Sequence, residues 1–322
     1  MARTDTLANY ITDISNAVRE KTGKTDLIKA NELDTEIASI ETGGDISEYF
    51  TNEMTVVGTS TVSGISNIIK KVPNNLKLSV TDCSYLFANC VELQEIPTVD
   101  TSLVIKMSNM FKNCKKITSI PYLDTSNVTN MASMCSDCVS LESFPALNTS
   151  NVTTMSSMFY ACDKLTTIPY LDTSNVTNMA WLFYDCDNLV SIPQLNTSKV
   201  TTVERMFYYC VSLTTVPLLD FGQVTSVEGM FAFCRSLTDL GGFKDLGKAF
   251  KTTQSQNYRY YELALNHCTK LTHDSLMNVI NNLYDIKSAG CNNQKLALGS
   301  DNLAKLTEEE IAIATNKGWN VS

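Results

Sequence analysis

A chain of 322 residues with 43% apolar and only 18% charged side chains has the composition of a folded protein, not of a disordered one. Its formal net charge of -9, with no stripe of clustered Lys and Arg, argues against nucleic acid and anionic membrane as partners, because both are held by concentrated positive charge. No run approaches the ~18 consecutive apolar residues of a membrane span, so membrane insertion is not expected.

The opening MARTDTLANYITDI lacks the continuous apolar stretch of a secretory signal, which predicts synthesis and first folding in a reducing cytoplasm. From about Asp5 to Lys21 the pattern is that of an amphipathic helix. Leu7, Tyr10, Ile11, Ile14 and Val18 make its apolar face, and Gly23 supplies the stop. A second helix is expected from about Ala30 to Ile40, before Gly43 and Gly44 break the pattern. Two helices this short cannot make a core alone. Segment 1–44 therefore either packs on the rest of the chain or tethers it to another subunit, in which case those five residues mediate assembly.

Segment 45–75 is rich in Thr, Val and Ile and reads as strand-like, an N-terminal cap for the region beyond it. That region, 76–243, is governed by a 24-residue period. Cysteine recurs at Cys90, Cys114, Cys138, Cys162, Cys186, Cys210 and Cys234, and proline at every 24th residue from Pro73 to Pro217. Phe87, Phe111, Phe159, Phe183, Phe207 and Phe231 keep the same step, interrupted only by Cys135, and a Leu or Ile stands three residues after each Cys. A fixed period of this length marks a solenoid, in which one unit buries its apolar face only by stacking on copies of itself.

Within a unit, the apolar residues of LTTIPYL predict a short extended segment that ends near the proline. A turn of the Asp-Thr-Ser-Asn kind follows, and then apolar residues every three or four positions, such as Val128, Met131 and Met134, predict a short helical turn. Strand, turn and short helix are the leucine-rich-repeat plan, with seven repeats over 76–243. Seven cysteines in one equivalent position point the same way along a stack. They are expected to be free, buried thiols, not disulfides or metal ligands, because ligands must converge on a point.

Gly241 replaces the proline in the last coil, and the period lapses from Lys244 to Tyr261 before Cys268 and Leu271 resume it ten residues late. The inserted segment carries Tyr258, Tyr260 and Tyr261, either a recognition loop or the edge of the cap. A helix over Asp274 to Ile286, a strand over Lys295 to Leu298, a final helix N-capped by Thr307 with Glu310 in capping-box position, and a last strand edge at Trp319 to Val321 make 244–322 a C-terminal cap. The fold expected is thus α/β: a solenoid of 24-residue coils with an N-terminal helical tether and a C-terminal helix-strand cap.

Chemistry is sparse. The two histidines, His267 and His273, lie in no Cys/His cluster, and no phosphate-binding glycine loop or nucleophile motif is present. No catalytic, metal or cofactor site is expected, and so no enzyme. The remaining candidates are surface tyrosines: Tyr160, Tyr184 and Tyr208 in one register position, and Tyr122 and Tyr170 in another. Stacked at strand spacing they form either a platform for sugar rings or a protein partner, or a row that merely shields the Phe ladder.

The consensus DTSNVTNMxxMFxxCxxLTxIP, traced from about Ile69 to Phe243, resembles the BspA-like leucine-rich repeats. The flanks YITDISNAVREKTGKTDLIKANEL and LTHDSLMNVINNLYDI resemble the ends of repeat proteins encoded in phage and prophage tail regions. The resemblance implies a virion tail component made in the host cytoplasm. Its N-terminal helices would join other tail proteins, and its repeats would meet a host surface protein or glycan. A bacterial cell-surface adhesin and a spacer within the particle are the alternatives, and homo-oligomerisation stays open.

Overall fold

A computed structural model describes residues 5–6, 54–56, 76–78, 80–249, 262–290 and 294–322. The chain divides into two compact units, 1–151 and 152–322.

In the first unit, β1 (Asp5–Thr6), β2 (Met54–Val56) and β3 (Leu76–Leu78) form a parallel sheet in that order. Asp5 and Thr6, assigned by apolar spacing to a helix start, thus lie in a strand. The rest of the predicted N-terminal helices falls outside the described residues. Beyond β3 the coils pair in parallel at the 24-residue step, through the bridges Asp82 to Lys106 to Asn130 and Ser119 to Ser143. The second bridge of each coil lies two residues before Pro121 and Pro145, so the missing proline N–H falls just past the paired residue.

The segment after the first bridge is not the short helix that the spacing of Met131 and Met134 predicts; among the described residues the coils contain no α-helix. Its backbone turns left-handed at every fourth residue, at Asn109 (φ 57°) and Asn113 (φ 61°) in one coil and at Ser133 (φ 54°) and Asp137 (φ 61°) in the next. A helix aims all its N–H groups along its own axis. Here they alternate. The N–H groups of Met110, Lys112 and Cys114 close turns on Met107, Asn109 and Phe111, while those of Asn109, Phe111 and Asn113 donate to Ala132, Met134 and Ser136 of the next coil at 2.7–2.9 Å. Every second residue thereby ties one coil to another, and no N–H of Met110 to Cys114 is left unpaired.

Side chains repeat the ties. Thr101 and Thr125, each 1% exposed, donate to the carbonyls of Asp124 and Asn148 in the following coils, at 2.8 and 2.7 Å. Asp124 instead stays local: its Oδ1 accepts the Ser126 N–H at 3.0 Å, which holds its carboxyl below the usual range. The core is a column of fully buried Met, Leu, Ile and Cys around the stacked rings of Phe87 and Phe111, 5.7 Å apart. Cys135, which interrupts the Phe row, is itself fully buried.

The second unit repeats this plan. Bridges run from Thr154 through Asn178 and Thr202 to Ser226, and Phe159, Phe183, Phe207 and Phe231 stack at 5.4–5.7 Å. Burial of each Phe contributes about 1.5–3 kcal/mol. β4 (Thr215–Val216) pairs with β6 (Asp239–Leu240), and β5 (Leu219–Asp220) with β7 (Phe243–Lys244). Gly241 sits where other coils carry proline. Its N–H donates to the Val216 carbonyl at 2.9 Å, and a Cβ there would meet the Leu218 nitrogen at 2.4 Å, so neither proline nor alanine fits.

The cysteines are not passive filler. All ten described ones are free and buried, and the Sγ of Cys114, Cys138, Cys186, Cys210 and Cys234 lies 2.9–3.1 Å from the carbonyl oxygen of the Phe 27 residues earlier. Cys268 makes the same contact with Phe231 at 3.5 Å but 37 residues on, so the ten-residue insertion leaves the ladder in place.

The unit ends in β8 (Glu262–Ala264), α1 (His273–Asn282), β9 (Lys295–Ala297), α2 (Ser300–Leu303), α3 (Glu308–Asn316) and β10 (Asn320–Val321), with a parallel sheet in the order β10-β9-β8. Thr272 caps α1 by accepting the Ser275 N–H, and α1 buries Leu276, Val279 and Ile280. It stops four residues short of the expected Ile286. Thr307 and Glu310 form the anticipated capping box of α3.

Candidate binding surface

The tyrosines in register separate into two kinds. Tyr160, Tyr184 and Tyr208 stack on one another at 4.7 and 4.9 Å with interplanar angles of 2° and 4°. Both faces of Tyr184 are therefore covered by its neighbours, and a sugar ring cannot lie on them. Burial, and then the two flanking phenols, raise the Tyr184 hydroxyl above its ordinary range. This row is a self-packed ladder that presents edges and hydroxyls.

Around it lie aromatic residues that register alone did not single out. Trp181 packs 5.0 Å from Tyr184 with the Arg205 guanidinium 4.7 Å over its ring, and Tyr209, Phe233 and His267 stack in series at 4.4 and 4.5 Å. Trp181 (φ 62°), Arg205 (φ 50°), Tyr209 (φ 61°) and Phe233 (φ 66°) all occupy left-handed turn positions that most equivalent coils fill with Asn, Asp, Ser or Gly, the others carrying Tyr85 and Ala161. The legible signal was the bulky residue itself, standing where a turn favours a small polar one.

Tyr122 and Tyr170 are the second kind. They are 61% and 67% exposed, and among the described residues no aromatic ring packs on either. The next-coil equivalent of Tyr170 is Gln194, and the one after is Leu218, itself 43% exposed. These three line an open groove of about 360 Å³ together with Asn196, Ser198, Asp220 and Lys244.

The polar groups of the groove are fixed. Gln194 donates its Nε2 to the carbonyls of Leu195 and Leu218 at 3.1 and 2.7 Å, which leaves Oε1 as its acceptor. Asn196 accepts the N–H and hydroxyl of Ser198 on Oδ1, at 3.1 and 2.7 Å, which leaves Nδ2 as its donor. The Lys244 Nζ meets Asp220 Oδ2 at 3.0 Å, while Asp220 Oδ1 accepts the Gly222 N–H. This ion pair is thus closed on itself. Below them Thr197, 1% exposed, accepts the Asp220 N–H at 2.8 Å and anchors the floor.

Tyr258, Tyr260 and Tyr261, and the assembly residues Leu7, Tyr10, Ile11, Ile14 and Val18, lie outside the described residues. His273 bridges Asp274 at 3.3 Å and Glu310 at 2.8 Å, and His267 packs on Phe233. The histidines are six residues apart in sequence but engage different neighbours.

Parallel coils of 24 residues around a column of Phe, Cys and Leu or Ile define a repeat protein of leucine-rich type. The chain belongs to the family described as Mycoplasma protein of unknown function, DUF285, whose model matches residues 81–187 and 142–243, together just over half of the sequence. No curated protein matches. Among solved structures it is similar to a leucine-rich cell surface protein from Faecalibacterium prausnitzii, at 15% identity over 65% of this chain and 69% of that one with a TM-score of 0.32. A leucine-rich repeat protein from Eubacterium ventriosum is 14% identical over 66% and 80% (TM-score 0.25), and one from Bacteroides ovatus 15% identical over 83% and 87% (TM-score 0.24).

Proposed function

We propose that this chain is a non-enzymatic recognition module, a solenoid whose rigid coils hold exposed side chains against an external surface. The observation that supports it is the exposed, unstacked ring of Tyr170 over a groove of immobilised polar groups. Tyr170 and Leu218 together put exposed apolar surface on the lining of a concave groove, a feature of ligand-binding sites. In this reading Tyr122 and Tyr170 make contact, and the Tyr160 row supports the scaffold.

The place of the module rests on the resemblance of repeats and flanks: a virion tail component, tethered through segment 1–44 and facing a host surface. A bacterial surface adhesin is the alternative setting for the same module. Sedimentation separates the two, since the protein travels with virions in the first case and with cell envelopes in the second. The binding role is tested with purified protein on intact bacterial cells. Tyr122→Ser with Tyr170→Ser abolishes retention, whereas Tyr160→Ser does not; retention that survives the double substitution retires the reading in favour of a spacer.

A further inference from the structure

We infer that the Tyr170 groove is a subsite for one neutral sugar ring of a glycan, an inference that rests on the recognition role proposed above. Three observations converge on that chemistry. In the Tyr160 row the rings of Tyr160 and Tyr184 are each covered by the ring of the next coil at under 5 Å. At Tyr170 the next coil offers Gln194, so the space that a stacked ring fills elsewhere is open. Tyr170 and Leu218 stand two coils apart, roughly 10 Å at strand spacing, with Gln194 turned onto the Leu218 carbonyl between them, and the groove of about 360 Å³ that the three line has room for one saturated ring.

The polar lining matches hydroxyl groups in kind. A sugar hydroxyl both donates and accepts, and the groove offers an acceptor at Gln194 Oε1 and a donor at Asn196 Nδ2, each held by the other half of its amide. Because those amides are pre-oriented, little side-chain entropy is lost on binding. The Asp220–Lys244 pair cancels its own charge, and the groove has no surplus of either sign for a carboxylated or phosphorylated ligand.

The probes are cellohexaose, maltohexaose and chitohexaose, and the readout is saturation transfer from the full-length protein to the sugar C–H protons. Transfer is expected to at least one hexaose. Tyr170→Ala weakens its apparent affinity about tenfold, the equivalent of one lost aromatic stack. Tyr85→Ala, which removes another exposed ring, leaves the affinity unchanged. Unaltered thermal unfolding of Tyr170→Ala shows that the scaffold is intact. Absence of transfer from all three sugars, or transfer that survives Tyr170→Ala, overturns the inference. If the sugars fail while cell retention still depends on Tyr170, the ligand is of another class, such as a peptide, and the recognition role stands; if cell retention fails as well, both fall.

Discussion

Trp181 is the largest side chain placed at a left-handed turn position, with φ at 62°. That conformation costs a non-glycine residue about 1–2 kcal/mol. Its contacts with Tyr184 and with the Arg205 guanidinium return about 0.5–1.5 and 0.5–1 kcal/mol. The two sides nearly cancel. Trp181→Asn, which installs the residue found at the equivalent Asn109, is therefore expected to shift the urea midpoint by less than ~1 kcal/mol in stability terms. A loss beyond ~3 kcal/mol would mean that the ring is part of the core and not a surface residue held under strain.

The thiols make a second prediction at this scale. Burial pushes Cys83 and Cys268 up to about 12, and raises Cys114, Cys186, Cys210 and Cys234 as well. A folded-state value raised above the unfolded one gives stability that is complete below the unfolded thiol range near 8.5 and lost as pH climbs toward the folded values. Urea midpoints should hold steady up to about pH 8 and then fall steeply, several thiols acting together. Replacement of one ladder thiol, Cys186→Ala, makes that fall shallower even as it costs some stability at pH 7.

Among the described elements, α3 is fastened to α1 through a histidine, and that contact titrates. Glu310 accepts the Thr307 N–H on one oxygen and faces His273 of α1 with the other, at 2.8 Å each. Glu310, and then Asp274, raise the His273 imidazole above its ordinary range, while the Thr307 N–H, and then His273, lower Glu310. The raised histidine contributes below about pH 6.5 and is lost above it; the lowered carboxylate contributes above about pH 4.3 and is lost below it. The clamp is thus complete only between those limits. His273→Gln should lower the melting temperature near pH 5.5 and leave it unchanged above pH 8, and an equal effect at both values would sink the assignment. Thr307 and Glu310 were legible in the sequence because a capping box has a fixed offset. The partner helix was legible too, but the contact of His273 with Glu310, 37 residues on, depends on how the cap folds back.

For the molecule as a whole, the period was plain in the sequence because the Cys, Pro and Phe ladders all count the same coil. The conformation inside the coil was not. Apolar residues every three or four positions suit a helix and equally suit a chain of turns that closes every four residues. The discriminating sign was Asn, Asp or Ser at paired positions such as Asn109 with Asn113 and Ser133 with Asp137, residues that tolerate the left-handed region. The groove divides in the same way. Tyr170 could be found by register, whereas Gln194, Asn196 and Ser198 look like ordinary polar surface until their hydrogen bonds show which atoms remain free to act.

The alternation of backbone bonds within and between coils has a mechanical consequence. Every second residue in the turn run donates to a carbonyl 23 positions on, and the bridges pair residues 24 apart, so tension on the chain loads the links of one coil before those of the next. A stack held this way peels, and does not shear. Each step should release one coil, ~80 Å of extended chain at about 3.5 Å per residue. Pulled by its ends in an atomic force microscope, the protein is expected to give a train of small, evenly spaced rupture events, and a single large rupture would contradict it. A chain that yields in equal instalments stays attached under a jolt that would snap a brittle link, and recovers its length when the load drops.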